Sequence, residues 1–174
     1  LGGHALFLGA NDIQLNRGES VPDTAKVLSR MVNGIMARVF DHRDVQELAR
    51  FATVPVINGL SDLLHPCQAL ADYFTLLEKR GALEGLKVAY VGDGNNIVHS
   101  WLRLAMRLPM HFVCACPLNY PPDQVTFERS RQAGVSTVEI VHDPMTAAKD
   151  ADVVYTDVWA SMGEEAESDA RRVV

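Results

Sequence analysis

Leu86-Lys87-Val88-Ala89-Tyr90-Val91-Gly92-Asp93-Gly94-Asn95-Asn96 is the stretch of sequence that decides the fold. An apolar run, typical of a strand, ends in a glycine-rich turn, and a helix is predicted to follow it. The downstream strands are predicted at residues 111–116, 137–141 and 153–156. The helices between them are predicted at residues 96–108, 122–133 and 144–151. Strands that alternate with helices, without hairpin turns, indicate a parallel sheet with right-handed crossovers.

The first part of the chain shows the same alternation. Strands are predicted at residues 5–8, 35–40 and 54–57, and helices at residues 20–33, 45–52 and 66–80. Leu70, Tyr73, Phe74 and Leu77 are predicted to form the buried stripe of the third helix. We therefore predict two parallel-sheet α/β domains, each incomplete in this chain. Residues 1–64 would end one domain, residues 65–84 would form an interdomain helix and turn, and residues 85–174 would begin the second.

Composition and charge exclude several classes of protein. Of the 174 residues, 48% are apolar and 22% are charged, which predicts a packed core. A net charge of −6 argues against a nucleic-acid partner, and no apolar run is long enough for a membrane helix. The chain does not begin as a secretory signal does, so we expect a cytoplasmic protein. We also expect an internal fragment, because residue 1 is not methionine and the last residues read as the inside of a helix.

The three cysteines, Cys67, Cys114 and Cys116, are too few and too clustered for a disulfide framework. Cys114 and Cys116 lie two apart in a predicted strand and so share a face. A metal pair is possible there, but buried structural thiols are the expected state of free cysteines.

Polar side chains follow two of the predicted strands in the second half. Asn96 comes after its first strand and Asp157 after its fourth. In a doubly wound sheet of 3-2-1-4 order these two strands are neighbours, and ligands bind where the order reverses. We therefore expect both side chains to line one crevice. The groups there are acidic or neutral, which favours a substrate that carries ammonium groups.

The glycine-rich turn also permits a dinucleotide interpretation. Gly92 and Gly94 supply the first two glycines of the G-x-G-x-x-G pattern, but Ile97 replaces the third. No carboxylate ends the next strand, where one would bind a ribose, and the next acid is Asp123. A nicotinamide-dependent oxidoreductase is therefore the weaker alternative. On this view the two glycines serve a tight turn and leave room for a small ligand.

Further motifs resemble one family over nearly the whole chain. His65-Pro66-Cys67-Gln68 resembles the His-Pro-x-Gln element of the transcarbamoylases. The segments that resemble the ornithine branch of that family are Leu1-Gly2-Gly3-His4, Glu19-Ser20-x-x-Asp23-Thr24-Ala25, Asn58-Gly59-Leu60-Ser61-Asp62, Gly92-Asp93-Gly94-Asn95-Asn96 and Asp157-x-x-x-Ser161-Met162-Gly163. The resemblance implies transfer of a carbamoyl group from carbamoyl phosphate to L-ornithine, which gives citrulline and phosphate in arginine biosynthesis. It implies no cofactor and no metal.

The resemblance also implies residue roles. Arg38, His65 and Gln68 would bind carbamoyl phosphate and act in catalysis. Asn96 and the Met162 backbone would bind the ornithine carboxylate, and Asp157 and Ser161 its ammonium group. Each role has a plainer structural interpretation. Arg38 could be an arginine on an edge strand, His65 a histidine that caps a helix, and Asp157 a loop carboxylate that caps the next helix. Residues 157–163 could close over ornithine as a lid, while Trp159 and Met162 could equally be core residues.

Gln14 would reach the carbamoyl-phosphate site of a neighbouring subunit in a homotrimer or a multiple of trimers, unless its loop is a plain surface loop. The family's Ser-x-Arg-Thr-Arg and His-Cys-Leu-Pro elements do not occur in these 174 residues, so we expect the isolated chain to be inactive. The loop that follows Asp157 is acidic or neutral and runs into Glu164-Glu165-Ala166-Glu167, which argues against the dicarboxylate aspartate as the second substrate. Putrescine or N-acetylornithine as the second substrate stays open. A catalytically dead regulatory relative of the family is a further alternative.

Overall fold

Two parallel sheets and the helices around them make up the computed structural model, which describes residues 2–9, 12–81 and 84–158. In the first sheet β1 (Ile35–Arg38) pairs with β2 (Val56–Leu60). A 3-10 turn (Leu15–Arg17), α1 (Val21–Leu28) and α2 (His42–Phe51) precede or connect these strands. Capping residues fix where both helices begin, because Ser20 Oγ and Asp41 Oδ1 accept backbone N–H groups of the first turns.

The first predicted strand is wrong. Residues 2–9 contain no helix or strand, and the Phe7 side chain is 92% exposed. A short apolar run becomes a strand only where another strand accepts its backbone hydrogen bonds. Among the described residues, β1 and β2 pair only with each other, so residues 2–9 have no partner strand.

The long helix α3 (Pro66–Arg80) follows the first sheet. It begins with Pro66 at its first position and ends at Gly81, whose φ of 72° is the left-handed conformation that glycine adopts without strain. The predicted buried stripe is confirmed only for Tyr73, which packs against the core. Leu70, Phe74 and Leu77 are 43–58% exposed, and Ala69 and Leu76 pack against the core in their place.

The second sheet has the order β5-β4-β3-β6, with all strands parallel. Its strands are β3 (Lys87–Val91), β4 (His111–Ala115), β5 (Thr137–Val141) and β6 (Val153–Tyr155). Counted from β3, this is the predicted 3-2-1-4 order, and β3 and β6 are neighbours at the reversal point. The parallel α/β fold is therefore confirmed.

Helices cover both faces of the second sheet. They are α4 (Asn96–Ala105), α5 (Gln124–Ala133) and α6 (Pro144–Ala148). One face packs on α3 and α4, where the rings of Trp101 and Phe112 stack with centroids 5.8 Å apart. Cys114 and Cys116 are buried on that face as free thiols, as expected of structural cysteines. The other face packs on α6 through Ala147. Within the described residues, no helix is long and apolar enough to cross a membrane.

Candidate functional site

A cavity of about 380 Å³ lies between the two sheets, at the carboxyl ends of β1, β2 and β6 and the first turns of α3 and α4. Its lining residues are Arg38, Leu60, His65, Gln68, Asn96, Ile97, Tyr155, Asp157 and Val158. The position agrees with the rule that ligands of open α/β sheets bind beyond the carboxyl ends of the strands.

Five of the predicted site residues line this one cavity: Arg38, His65, Gln68, Asn96 and Asp157. Gln14 does not line it, and its side chain is exposed next to the 3-10 turn. Ser161, Met162 and most of the predicted 157–163 lid, with Trp159, lie outside the described residues. The structure therefore brings together the two halves of the predicted site but does not describe its last loop.

His65 stands at the N-terminus of α3 with its side chain free to act on a ligand. It occupies the N-cap position, yet its side chain accepts no backbone N–H there, so it is not a capping histidine. Its Nδ1 is buried and has no hydrogen-bond partner among the described residues. Burial, and then the nearby Arg38 guanidinium, lower the pKa of His65, while Asp157 and Asp72 oppose this. The neutral imidazole is therefore favoured near neutral pH.

Arg38 ends β1 and supplies the positive charge of the cavity wall. Its guanidinium group forms no ion pair or hydrogen bond with the residues that the structure describes. On the same wall, Gln68 Nε2 donates to Asp72 Oδ1 at 2.9 Å. Arg38, His65 and Gln68 thus offer one cation and two groups capable of neutral hydrogen bonds to an anionic ligand with a carbonyl group.

Three side chains of α4 hold the loop that precedes His65. Asn96 Nδ2 donates to Ser61 O at 2.8 Å, and Ser100 Oγ accepts the His65 N–H at 2.7 Å. His99 Nδ1 lies 3.0 Å from Leu63 O. Since residues 96, 99 and 100 share one face of a helix, this face of α4 connects the second sheet to the first. No motif in the sequence singles out Ser100 or His99.

Asn95 links the opposite wall of the cavity. Its Oδ1 accepts the N–H groups of Ile97 and Val98, which caps α4. Its Nδ2 donates to Asp157 Oδ2 at 3.2 Å, across the reversal point between β3 and β6. Sequence reasoning missed this role, although the paired asparagines were the available signal: one orients Asp157 and the other holds the Ser61 loop.

The structure contradicts the dinucleotide interpretation. In that motif the second glycine leaves space for a pyrophosphate. Here a Cβ on Gly94 would lie 2.0 Å from Pro122 N and 2.3 Å from Pro121 C, so backbone already fills that space. The carboxylate of Asp123 caps α5, accepting Thr126 N–H at 2.7 Å. The expectation that Gly94 leaves room for a small ligand is also wrong.

Comparisons with known proteins identify the same family for both halves. Residues 1–78 match the family described as "Aspartate/ornithine carbamoyltransferase, carbamoyl-P binding domain". Residues 84–173 match "Aspartate/ornithine carbamoyltransferase, Asp/Orn binding domain". Among curated proteins, the chloroplastic ornithine carbamoyltransferase of Pisum sativum is 59% identical over 99% of this chain and 46% of its own length. The anabolic ornithine carbamoyltransferase of Pyrococcus furiosus is 57% identical over 100% and 56%.

Solved structures agree with the sequence matches. Ornithine carbamoyltransferase from Pyrococcus furiosus superposes with a TM-score of 0.91 at 56% identity, covering 99% of this chain and 56% of that one. The anabolic enzyme of Campylobacter jejuni gives a TM-score of 0.92 at 44% identity, covering 98% and 57%. The chain spans about half the length of these relatives. With both halves matched in order, the chain belongs to the aspartate/ornithine carbamoyltransferase family.

Proposed function

We propose that this chain is part of an enzyme that transfers the carbamoyl group of carbamoyl phosphate to the side-chain amine of L-ornithine, giving citrulline and phosphate. One observation carries the proposal: a single cavity has Arg38, His65 and Gln68 on the wall from the first half of the chain, and Asn96 and Asp157 on the wall from the second. The first wall suits an anion with a carbonyl group. The second suits an amino acid with an ammonium group.

The chemistry follows from charge development. Attack of the amine nitrogen on the carbonyl carbon puts negative charge on the carbonyl oxygen, so a fixed donor aimed at that atom lowers the barrier. Neutral His65 supplies such a donor, and its position at the N-terminus of α3 adds the positive end of the helix dipole. Arg38 stabilises the phosphate as it leaves. Gln68 binds the carbamoyl amide.

The opposite wall selects the second substrate. Asp157, oriented by Asn95, pairs with the α-ammonium group, and Asn96 still has an N–H free to meet the carboxylate after donating to Ser61 O. A dicarboxylate second substrate would face the Asp157 charge across a cavity whose lining holds one arginine, which disfavours aspartate. Ser161 and the Met162 backbone are proposed to complete this wall.

Some parts of the proposal rest mainly on the family resemblance. The domain division at residues 1–64, 65–84 and 85–174 is supported by the two family matches, which leave residues 79–83 between them. A homotrimer or multiple of trimers, in which Gln14 reaches a neighbouring site, is supported by its exposed position. Light scattering of the protein expressed from its complete reading frame measures the assembly, and a cytoplasmic location is checked by cell fractionation.

The test is a substrate panel with a matched pair of variants. Citrulline formation is measured with ornithine, putrescine, N-acetylornithine and aspartate, using the protein expressed from its complete reading frame. Asp157→Asn removes a charge-assisted bond worth about 1.5–3 kcal/mol, so KM for ornithine should rise about 10- to 150-fold. Asp150→Asn, on an exposed turn outside the cavity, should change nothing. A preference for putrescine, or equal KM values for the two variants, would refute the assignment.

A further inference from the structure

Asp72 lies one helical turn beyond Gln68 on α3, behind the cavity wall. It does not line the cavity, but its Oδ1 accepts the hydrogen bond from Gln68 Nε2 at 2.9 Å. Its Oδ2 is buried as well. A carboxylate only accepts hydrogen bonds, so the amino end of the Gln68 amide must face Asp72. The carbonyl end, Oε1, is then the end left for the cavity.

The charge of Asp72 reaches two other groups of the cavity wall. Burial is the main cause that raises the pKa of the Tyr155 phenol, and the charge of Asp72 and a hydrogen bond to its carboxylate are the next two. Asp72 is also one of the two carboxylates that favour protonated His65, against its burial and Arg38. Asp72 therefore stands close behind three residues that line the cavity, rather than on a remote helix surface.

We propose that Asp72 is a positioning residue, which fixes the Gln68 amide so that Oε1 accepts a hydrogen bond from an N–H donor of the bound substrate. Under the proposed function, on which this role in catalysis rests, that donor is the amino group of carbamoyl phosphate. Without Asp72 the amide is free to turn over and present its own N–H groups to that donor, which loses the bond. The effect on the substrate is thus indirect, through one glutamine rotamer.

A plainer interpretation is an ordinary i,i+4 pair that only supports the helix. The chain provides the matched control for it: on α5, Gln124 Nε2 donates to Glu128 Oε1 at 3.1 Å with the same spacing, on an exposed face away from the cavity. Glu128→Ala therefore removes this helix pair, together with the exposed Arg131–Glu128 pair at 3.5 Å, and no contact of the cavity. Asp72→Ala removes both the helix pair and the orientation, and Asp72→Asn keeps an oxygen acceptor at the same place.

The first experiment compares steady-state kinetics of the protein expressed from its complete reading frame. We expect Asp72→Ala to lower kcat/KM for carbamoyl phosphate about tenfold, a loss of about 1.4 kcal/mol in transition-state stabilisation. Asp72→Asn should recover to within about threefold of the wild type, and Glu128→Ala should stay within about twofold. The proposal would be overturned if kcat/KM of Asp72→Ala lay within twofold of that of Glu128→Ala. It would also be overturned if kcat/KM of Asp72→Asn were as low as that of Asp72→Ala.

The second readout does not depend on turnover. In ¹⁵N-labelled protein the side-chain amide of Gln68, assigned by its loss in Gln68→Leu, should give two well-separated proton signals that exchange slowly with solvent. Asp72→Ala should merge or weaken them, and Asp72→Asn should keep them. Unchanged signals in Asp72→Ala overturn the orientation by Asp72. If the wild type makes no citrulline while the signals respond as expected, the proposed function is at fault and the positioning of Gln68 by Asp72 stands.

Discussion

Gly94→Ala adds one methyl group where two chain segments touch. The new Cβ would lie 2.0 Å from Pro122 N, 2.3 Å from Pro121 C and 2.5 Å from Pro122 Cα. All three neighbours are backbone atoms, so no change of side-chain rotamer relieves the overlap. The φ angle of Gly94 is not in the left-handed region, so the predicted effect is steric and does not come from backbone strain.

The geometry sets the size of the effect. Contacts of Cβ atoms below 3.0 Å essentially never occur, so the two segments must separate by about 1 Å to lengthen the 2.0 Å approach. That movement breaks the Gly94 N–H to Tyr120 O hydrogen bond, now 2.8 Å. Overpacking costs about 1–3 kcal/mol and the lost bond about 1 kcal/mol. For a chain of this length, a total of about 2–4 kcal/mol lowers Tm by about 5–15 °C.

The assay is urea and thermal unfolding followed by circular dichroism, with Gly34→Ala as the control. A Cβ on Gly34 meets only Pro55 O, at an ordinary 3.7 Å, and Gly34 has no positive φ. Its free energy of unfolding should change by no more than about 1 kcal/mol. If Gly94→Ala is within about 1 kcal/mol of Gly34→Ala, then Pro121 and Pro122 do not occupy this space as described, and the steric reasoning fails.

Two further predictions concern side chains of α4. Burial is the largest cause that lowers the pKa of His99 below 6.5, so the unfolded state binds more protons just below that pH. The stability that neutral His99 contributes is therefore complete above about pH 6.5 and is lost as the pH falls toward the folded-state pKa. The measurement is the free energy of unfolding in urea between pH 7.5 and 5. Over this range it should fall less for His99→Gln than for the wild type, and an equal fall in both proteins would contradict the prediction. Ser100→Ala leaves the His65 N–H unpaired and should cost about 1–3 kcal/mol of unfolding free energy. The control is Ser130→Ala, because Ser130 is also buried and donates to Leu102 O, so its loss should lower stability similarly. Only Ser100→Ala should raise KM for carbamoyl phosphate. Equal KM values for the two variants would show that Ser100 does not position His65.

The order of the elements could be predicted because it is encoded locally. Apolar runs, glycines and prolines mark strands, turns and helix starts one segment at a time. The 3-2-1-4 order is the common one for a doubly wound sheet and is assumed on that ground. The buried face of α3 could not be predicted to one residue. Which of Leu70 or Ala69 turns inward depends on where α4 and the second sheet lie, and the helix pattern alone holds no such information. The same holds for residues 5–8, since pairing needs a partner strand.

The residues around the cavity show a similar division. Asn96 and Asp157 are predicted because each follows a strand, where local signals are strong, whereas His65 and Gln68 are predicted because their motif resembles that of the transcarbamoylases. Asn95 and Asp157 are 62 residues apart, and only the fold reveals their 3.2 Å contact. Asp72 is different, because its i,i+4 spacing from Gln68 is visible in the sequence. What was not visible is that this side of α3 lies behind the cavity.

The neutral state of His99 connects the stability of the chain to the geometry of the cavity. Leu63 O only accepts and Asp123 N–H only donates, so His99 must carry its proton on Nδ1 and accept at Nε2, 2.8 Å from Asp123 N. A second proton would set two donors against each other and push the 121–123 segment away from α4. That segment packs on Gly94, next to the Asn95 cap of α4. Protonation of His99 would therefore lower the stability of the chain and disturb the Asn95 cap, which also holds Asp157 at the cavity.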